Sequence, residues 1–430
     1  MMNIPKHWKI KKLGELCDLQ NGVAFKSSDY IEKSNTCIFR MSQIRPGGIL
    51  DLNHNSKYLP DEFIELYKNY LLKDSDIVIA MTDMASETKI LGVPTYFKSD
   101  GRNFLLNQRV GKLFNLQFEQ INDRFLRYAL TSPNVNRYYK SFGKGALQIN
   151  LGKNDILNVT VPIPPLPEQQ AIVSRIEELL SDLDNGKQQL QLAQQQLKTY
   201  RQSLLKWAFE GKLTNSDLKN GELPKGWKWL SLGDVCNKIG DIDHKMPKQF
   251  STGYPYVSTK GFTDNLKISF DNAKYISEED YLNLARKIRP ERGDIIFPRY
   301  GTIGKNILID FDKEFLVSYS CAVVKPNHNL VLPKYVYLYT LSPKITEEIR
   351  KYTVETTQAN VGIASIKSFV FPFAPIKEQL LIVSELESKL TVCDKIEETI
   401  SEALLKSESL RQSILKKAFS GELIKNYRLH

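Results

Sequence analysis

The chain has 430 residues, 42% hydrophobic and 25% charged, with a formal net charge of +10. That length argues for more than one domain, and the composition for a folded core in each. No run of about 18 apolar residues occurs and the start, Met1-Met2-Asn3-Ile4-Pro5, has no signal-peptide core, so neither a membrane span nor export is expected.

Residues 1–165 open with Ile4-Pro5-Lys6-His7-Trp8 and Leu13-Gly14-Glu15-Leu16-Cys17. Asp61-Glu62-Phe63 marks a helix start, and Asp76-Ile77-Val78-Ile79-Ala80 has strand composition. Val159-Thr160-Val161-Pro162-Ile163-Pro164-Pro165 cannot be helical, because successive prolines remove donors and push their predecessors out of the helical region. It reads as an extended exit into a long helix that starts near Glu168 and stops at Gly211. Along it Ile172, Ile176, Leu179, Leu183, Leu190, Ala193, Leu197, Tyr200, Leu204 and Trp207 fall on alternating four- and three-residue steps, interrupted only at Gly186, a coiled-coil seam of five heptads. Some 42 residues make a rod of roughly 60 Å, longer than a domain of this size is wide.

The order then repeats. Leu223-Pro224-Lys225-Gly226-Trp227 and Leu232-Gly233-Asp234-Val235-Cys236 restate the opening, and Ser277-Glu278-Glu279-Asp280 restates the helix start. Gly293-Asp294-Ile295-Ile296-Phe297 restates the strand, Ser342-Pro343 matches Ser132-Pro133, and Gln358-Ala359-Asn360 matches Gln148-Ile149-Asn150. From Pro162 to Leu213 the first copy aligns with Pro372 to Leu423 without a gap, with about 20 of 52 pairs identical. The second seam is Ile382, Leu386, Cys393, Ile396, Ile400, Ala403, Leu410 and Ile414, with Lys389, Ser407 and Lys417 as lapses. A stripe on each rod needs cover, so the two are expected to pack on each other in antiparallel fashion.

Charge follows the same division. Residues 1–165 and 215–375 carry excesses of +6 and +4, while 166–214 and 376–430 are neutral. Two basic modules on neutral helices suit a polyanion such as DNA. The five cysteines (Cys17, Cys37, Cys236, Cys321, Cys393) form no Cys-x-x-Cys pair and have no His at ligand spacing, so no zinc site or disulfide framework is expected and a reducing cytoplasm fits. His7, His54, His244, His328 and His430 are isolated and read as surface or loop residues. Neither a phosphate loop, nor HExxH, nor a glycine-rich cofactor fingerprint, nor the Asn-Pro-Pro-Tyr type of methyltransferase motif occurs.

With its two Pro-Lys-x-Trp…Leu-Gly starts, two Pro-x-x-Glu-Gln helix entries and two Arg-Gln-Ser-x-Leu-Lys-x-Ala-Phe-x-Gly-x-Leu exits, the chain resembles the specificity subunits of type I restriction–modification systems over nearly its whole length. The resemblance implies an α+β fold with an internal pseudo-two-fold repeat: two similar mixed α/β target-recognition domains, residues 1–165 and 214–375, separated by two long antiparallel coiled-coil helices, residues 166–213 and 376–424, and a tail, 425–430. It implies that each domain reads one half of a split double-stranded DNA site and that the helices set the gap. It also implies partners that carry the chemistry of DNA methylation and phage defence: two modification subunits holding S-adenosylmethionine, and restriction subunits holding ATP and Mg²⁺. This chain is expected to bind no cofactor or metal and to catalyse nothing.

Phosphate anchoring and base reading are separate tasks. In Arg299-Tyr300-Gly301-Thr302-Ile303-Gly304-Lys305 the glycines allow backbone N–H groups near a phosphate, and Arg299 and Lys305 add charge. The first copy has the acidic Met81–Lys89 stretch there instead. Arg40, Gln43, Arg45, Asn107, Gln108 and Arg109 are first-copy candidates, because Arg suits guanine and Gln or Asn suits adenine. Lys245, Lys248, Lys260 and Arg286 are their loose second-copy counterparts. The shared Gln-x-Asn is read as a structural turn. Since the copies differ in loops and polar content, an asymmetric bipartite site is expected. A coiled-coil adaptor that binds protein predicts no salt-dependent DNA affinity, and a nuclease predicts cleavage with Mg²⁺.

Overall fold

A computed structural model of the chain describes residues 4–86, 88–143, 145–215, 217–219, 221–244, 246–271, 273–352 and 360–424. These form two compact units, residues 1–190 with 402–430, and residues 191–401. Among the described residues no helix is long and apolar enough to cross a membrane, and no His, Cys, Asp and Glu cluster could hold a metal.

In the first unit, Asp18–Asn21, Val110–Phe114, Ile77–Ala80 and Pro94–Tyr96 form a four-stranded antiparallel sheet. A second sheet sets Asn103–Leu106 parallel to Thr36–Phe39, with Tyr58–Leu59 antiparallel on the far side. The second unit repeats both. Cys236–Gly240, Cys321–Pro326, Ile295–Pro298 and Ile307–Leu308 make the antiparallel sheet. Lys274–Ile276, Tyr254–Val257 and Leu316–Val317 make the mixed one. The strands Ile77–Ala80 and Ile295–Pro298 are buried at every position, which is why they read as unbroken apolar runs. The extended exits hold too: Thr160–Ile163 pairs with Lys9–Lys12, and Val370–Phe373 with Lys228–Ser231. Each proline-rich exit thus closes its domain on the strand that begins it.

Leu166–Phe209 and Ile376–Phe419 are single helices of 44 residues. Within each unit the helix segments run antiparallel. In the first, Glu168 and Gly421 both adjoin Trp8, and Asp184 pairs with Arg411 at 2.7 Å. In the second, Glu378 meets Thr214 and Asn215, and Arg201 reaches Asp394 and Glu397 at 2.7 and 2.8 Å. Such part-exposed ion pairs contribute only about 0–1 kcal/mol each. Apolar burial holds the segments: Ile172, Ile176, Leu180, Ile414, Leu415, Ala418 and Phe419 join the first core. Leu197, Leu204, Leu205, Ala208, Phe209, Ile382, Leu386 and Cys393 join the second.

The heptad line is not buried throughout, and four of its positions need correction. Ile172, Ile176, Leu197, Leu204, Ile382, Leu386, Ile400 and Ile414 are buried, and Leu179, Leu183 and Leu190 are half-buried. Ile396 and Leu410, however, are 44% and 52% exposed, as are Tyr200 and Trp207 at 45% and 43%. A straight α-helix drifts about 20° per heptad from a 3.5 repeat. The buried line therefore passes to Leu180, Leu205, Ala208, Leu415 and Ala418.

The recurring motifs are structural. Gln169 is fully buried: it accepts from Asn122 N–H at 2.8 Å and donates to Gln120 and Pro164 carbonyls, both at 2.8 Å. Gln379 does the same with Leu332 N–H, Leu330 and Ala374. Each glutamine thereby ties a long helix to its domain. Gly421 has φ +77°, and a Cβ there would lie 2.4 Å from Pro5 Cγ; Gly211 has φ +78° and would meet Pro224 Cγ at 2.2 Å. The helix-ending glycines and the opening prolines are thus one packing contact, made once in each unit.

Candidate nucleic-acid interface

The parallel strands of the first unit end side by side. Asn107 N–H donates to Phe39 O at 3.1 Å, Gln108 N–H to Val23 O at 2.9 Å, and Met81 N–H to Arg109 O at 3.0 Å. These bonds bring Arg40 and Asn107-Gln108-Arg109 to one end of the sheet. Gly22 permits it, since a Cβ there would lie 2.3 Å from Leu106 O. Gln108 and Arg109 are exposed and Arg40 is half-buried, its guanidinium 3.4 Å from Asn55 O. Asn107 is spent on the turn, accepting from Arg109 N–H and donating to Val23 O.

Gln43 does not join this row. It is fully buried, accepts from Arg40 N–H at 2.9 Å and donates to Leu52 O at 2.8 Å. The turn Met41–Gln43 needs those partners, so the amide is unavailable to a base. Arg45 lies in the separate hairpin Ile44–Arg45 with Ile49–Leu50.

The second unit has the same backbone platform with other side chains. Ser318 N–H donates to Val257 O and Arg299 N–H to Ser320 O, both at 2.8 Å. Ser318-Tyr319-Ser320 therefore stands where Asn107-Gln108-Arg109 stands in the first unit. Ser258, which caps the turn Thr259–Gly261, follows Val257 as Arg40 follows Phe39, and the exposed Lys260 lies two residues further on, within that turn.

Arg299 is corrected by this geometry. It is 6% exposed, ion-paired with Asp241, and donates to Val361 O at 2.8 Å. A guanidinium so enclosed anchors the protein and not a phosphate. Tyr300 lies beneath it, 5.3 Å from ring centroid to guanidinium, and bridges to Asn360 as Thr82 pairs with Asn150. The Met81–Lys89 and Arg299–Lys305 stretches thus leave the sheet at equivalent points. Lys305 is part-exposed and pairs with Asp264 at 3.0 Å, Lys248 stands over the Phe250 ring, and Arg286 is an exposed helix C-cap. Lys245 and Gln358 lie outside the described residues.

Sequence reasoning missed Tyr319 and His244. Their rings stack with centroids 4.8 Å apart at 24°. The signal available was the match of Leu105-Leu106-Asn107-Gln108-Arg109-Val110 with Leu316-Val317-Ser318-Tyr319-Ser320-Cys321, an apolar pair, three polar residues and an apolar strand start.

The family described as the type I restriction modification DNA specificity domain matches residues 5–194 and again 224–406. The EcoBI specificity subunit of Escherichia coli is 25% identical over 444 residues, covering 100% of this chain and 89% of that one. The EcoKI specificity subunit of Escherichia coli K12 is 26% identical over 451 residues, covering 99% and 91%. Among solved structures, a chain from work on assembly and conformational transition of the type I R-M system superposes with TM-score 0.68 at 19% identity, covering 97% and 99%. The HsdS subunit from Thermoanaerobacter tengcongensis gives 0.57 at 18% identity, covering 97% and 98%. With its duplicated units and the family match spanning both, the chain belongs to the type I restriction–modification DNA specificity family.

Proposed function

We propose that this chain is the DNA-reading subunit of a type I restriction–modification complex, and that the strand-exit platform of each unit reads one half of an asymmetric bipartite site. The carrying observation is a backbone platform that occurs twice with different side chains: Arg40, Gln108 and Arg109 in one copy, Lys260, Ser318, Tyr319 and Ser320 in the other. Equal scaffolds with unequal side chains suit unequal half-sites, whereas a palindrome needs like halves. Arg45, Lys245, Lys248, Arg286 and Lys305 are candidates for flanking phosphate contacts.

The chain is a non-catalytic member of its complex. Methylation belongs to two modification subunits with S-adenosylmethionine, and cleavage to restriction subunits with ATP and Mg²⁺. Leu192, Tyr200 and Trp207, 43–47% exposed on one face of the first long helix, support docking of a modification subunit there. Residues 1–165 and 214–375 serve as the recognition domains, and the lengths of the long helices set the gap between half-sites. The relatives lend no support to a protein-binding adaptor.

Methylome sequencing of cells that express this chain with its modification subunit tests the reading. A split motif with two unrelated halves is expected. A continuous or palindromic motif, or no motif, overturns it.

A further inference from the structure

We propose that His244 and Tyr319 are specificity-determining residues of the second unit, with His244 accepting a hydrogen bond from the exocyclic amino group of an adenine or cytosine. The inference rests on the reading of this chain as a DNA-specificity subunit and deepens it at one half-site.

Three observations lead to it. First, Tyr319 occupies the backbone position that Gln108 holds in the first unit, as fixed by the two flanking hydrogen bonds Ser318 to Val257 and Arg299 to Ser320. Second, the His244 side chain is 60% exposed yet held, stacked on Tyr319 and with Nε2 3.4 Å from Asp241 Oδ2. An exposed ring fixed on two sides is ordered before a ligand arrives, which lowers the entropic cost of binding. Third, Asp241 is itself secured. It is 7% exposed, ion-paired with buried Arg299, and 3.4 Å from Lys287 Nζ.

That third point selects the chemistry. The Asp241 carboxylate, ion-paired with Arg299, is the acceptor in its contact with His244. The ring nitrogen facing it, Nε2, therefore carries the proton in the neutral imidazole, which leaves Nδ1 as an acceptor. In the major groove, adenine N6 and cytosine N4 are the amino donors that complement an acceptor. Tyr319 supplies the flat support for the ring. Arg299, taken from its sequence setting as a phosphate contact, acts here only through Asp241. The groups facing His244 are Asp241 and Tyr319, with Arg299, Lys287 and Asp243 around the same carboxylate.

The test is methylome sequencing of cells expressing the whole chain, unaltered or substituted, with the modification subunit. His244→Ala should relax one adenine or cytosine position of the second half-site, with discrimination there falling about tenfold to a hundredfold. Tyr319→Ala should act at the same position, while Tyr319→Phe, which keeps the ring, should retain the motif. His244→Gln, which keeps an acceptor, should retain more discrimination than His244→Ala. An unchanged motif in His244→Ala and Tyr319→Ala overturns the proposal. So does a uniform loss of methylation with no relaxed position, or relaxation in the first half-site. If the unaltered chain directs no bipartite motif, the functional reading itself has failed, which is a separate and recognisable result.

Discussion

Replacing Gln169 by alanine removes one side chain and leaves three backbone groups without it: Asn122 N–H, Pro164 C=O and Gln120 C=O. A buried polar group with no partner costs roughly 1–3 kcal/mol. Gln120 is half-exposed and can take water, so the three together should cost about 3–5 kcal/mol. For a unit of this size each kcal/mol is worth about 2–4 °C, which gives a fall in Tm of roughly 6–20 °C. Hydrogen exchange with mass spectrometry locates the effect. Protection should drop in residues 4–190 and 402–424 and persist in 191–401. Gln169→Glu sharpens the test, because a carboxylate would face two carbonyl oxygens. Its folded pKa would stand above the unfolded value, so the deficit should be full at pH 7 and shrink as pH falls through that raised pKa. A Tm for Gln169→Ala within about 1 °C of the unaltered chain refutes the clamp, since that shift corresponds to under about 0.5 kcal/mol.

Gly421→Ala should destabilise the first unit by about 1–3 kcal/mol, through positive φ and the clash with Pro5, with Gly211→Ala doing the same to the second; thermal melts with unit-resolved exchange would show it. Arg109→Ala should weaken DNA binding by the complex and lower the slope of log affinity against log salt by about one if it meets phosphate; if it meets guanine, it should relax one base of the first half-site with the slope unchanged. An affinity, slope and motif all unaltered would place Arg109 outside the interface. Burial pushes the thiols of Cys17, Cys236 and Cys321 up from 9.0 to about 12. They should resist alkylation in the folded chain, and stability should decline as pH rises from about 9 toward 12, where the unfolded thiols ionise and the folded ones do not. Alkylation of Cys321 in the folded chain at pH 8, as fast as after unfolding, would count against that burial.

The features most legible in the sequence were those that repeat. Proline positions, buried apolar runs and the Pro-x-x-Glu-Gln entries are local signals, and two copies confirm each other. The seam was legible toward the helix ends, where Ile172, Ile176, Leu204, Ile382, Leu386 and Ile414 are buried, and lost at Ile396 and Leu410, which keep the heptad spacing but stay exposed. At the interface, Arg40 with Gln108 and Arg109 could be named from residue type, but their meeting depends on a parallel strand pair that joins residues about seventy apart. Gln43 and Arg299 have the chemistry of DNA contacts, but the amide of Gln43 is taken up by the fold of its own turn, through Arg40 and Leu52, and Arg299 is enclosed by Asp241 and Val361, which are distant in sequence. His244 was passed over because an isolated histidine has no local signal; the partners that fix it, Asp241 and Tyr319, come from different strands' ends.

The first unit is discontinuous in the chain, and this bears on how it is made. Ile172, Ile176 and Leu180 share a core with Ile414, Leu415, Ala418 and Phe419, and Phe125 meets Phe419 edge-on at 5.4 Å. A ribosome that has finished residue 190 has more than two hundred residues still to add before that cover exists. At about 5–20 residues per second the wait is roughly 10–50 s. The second unit, residues 191–401, is contiguous and can close within it. The part synthesised first is therefore completed last, and for that interval its apolar helix face is exposed to whatever chaperone or partner helix the cell provides.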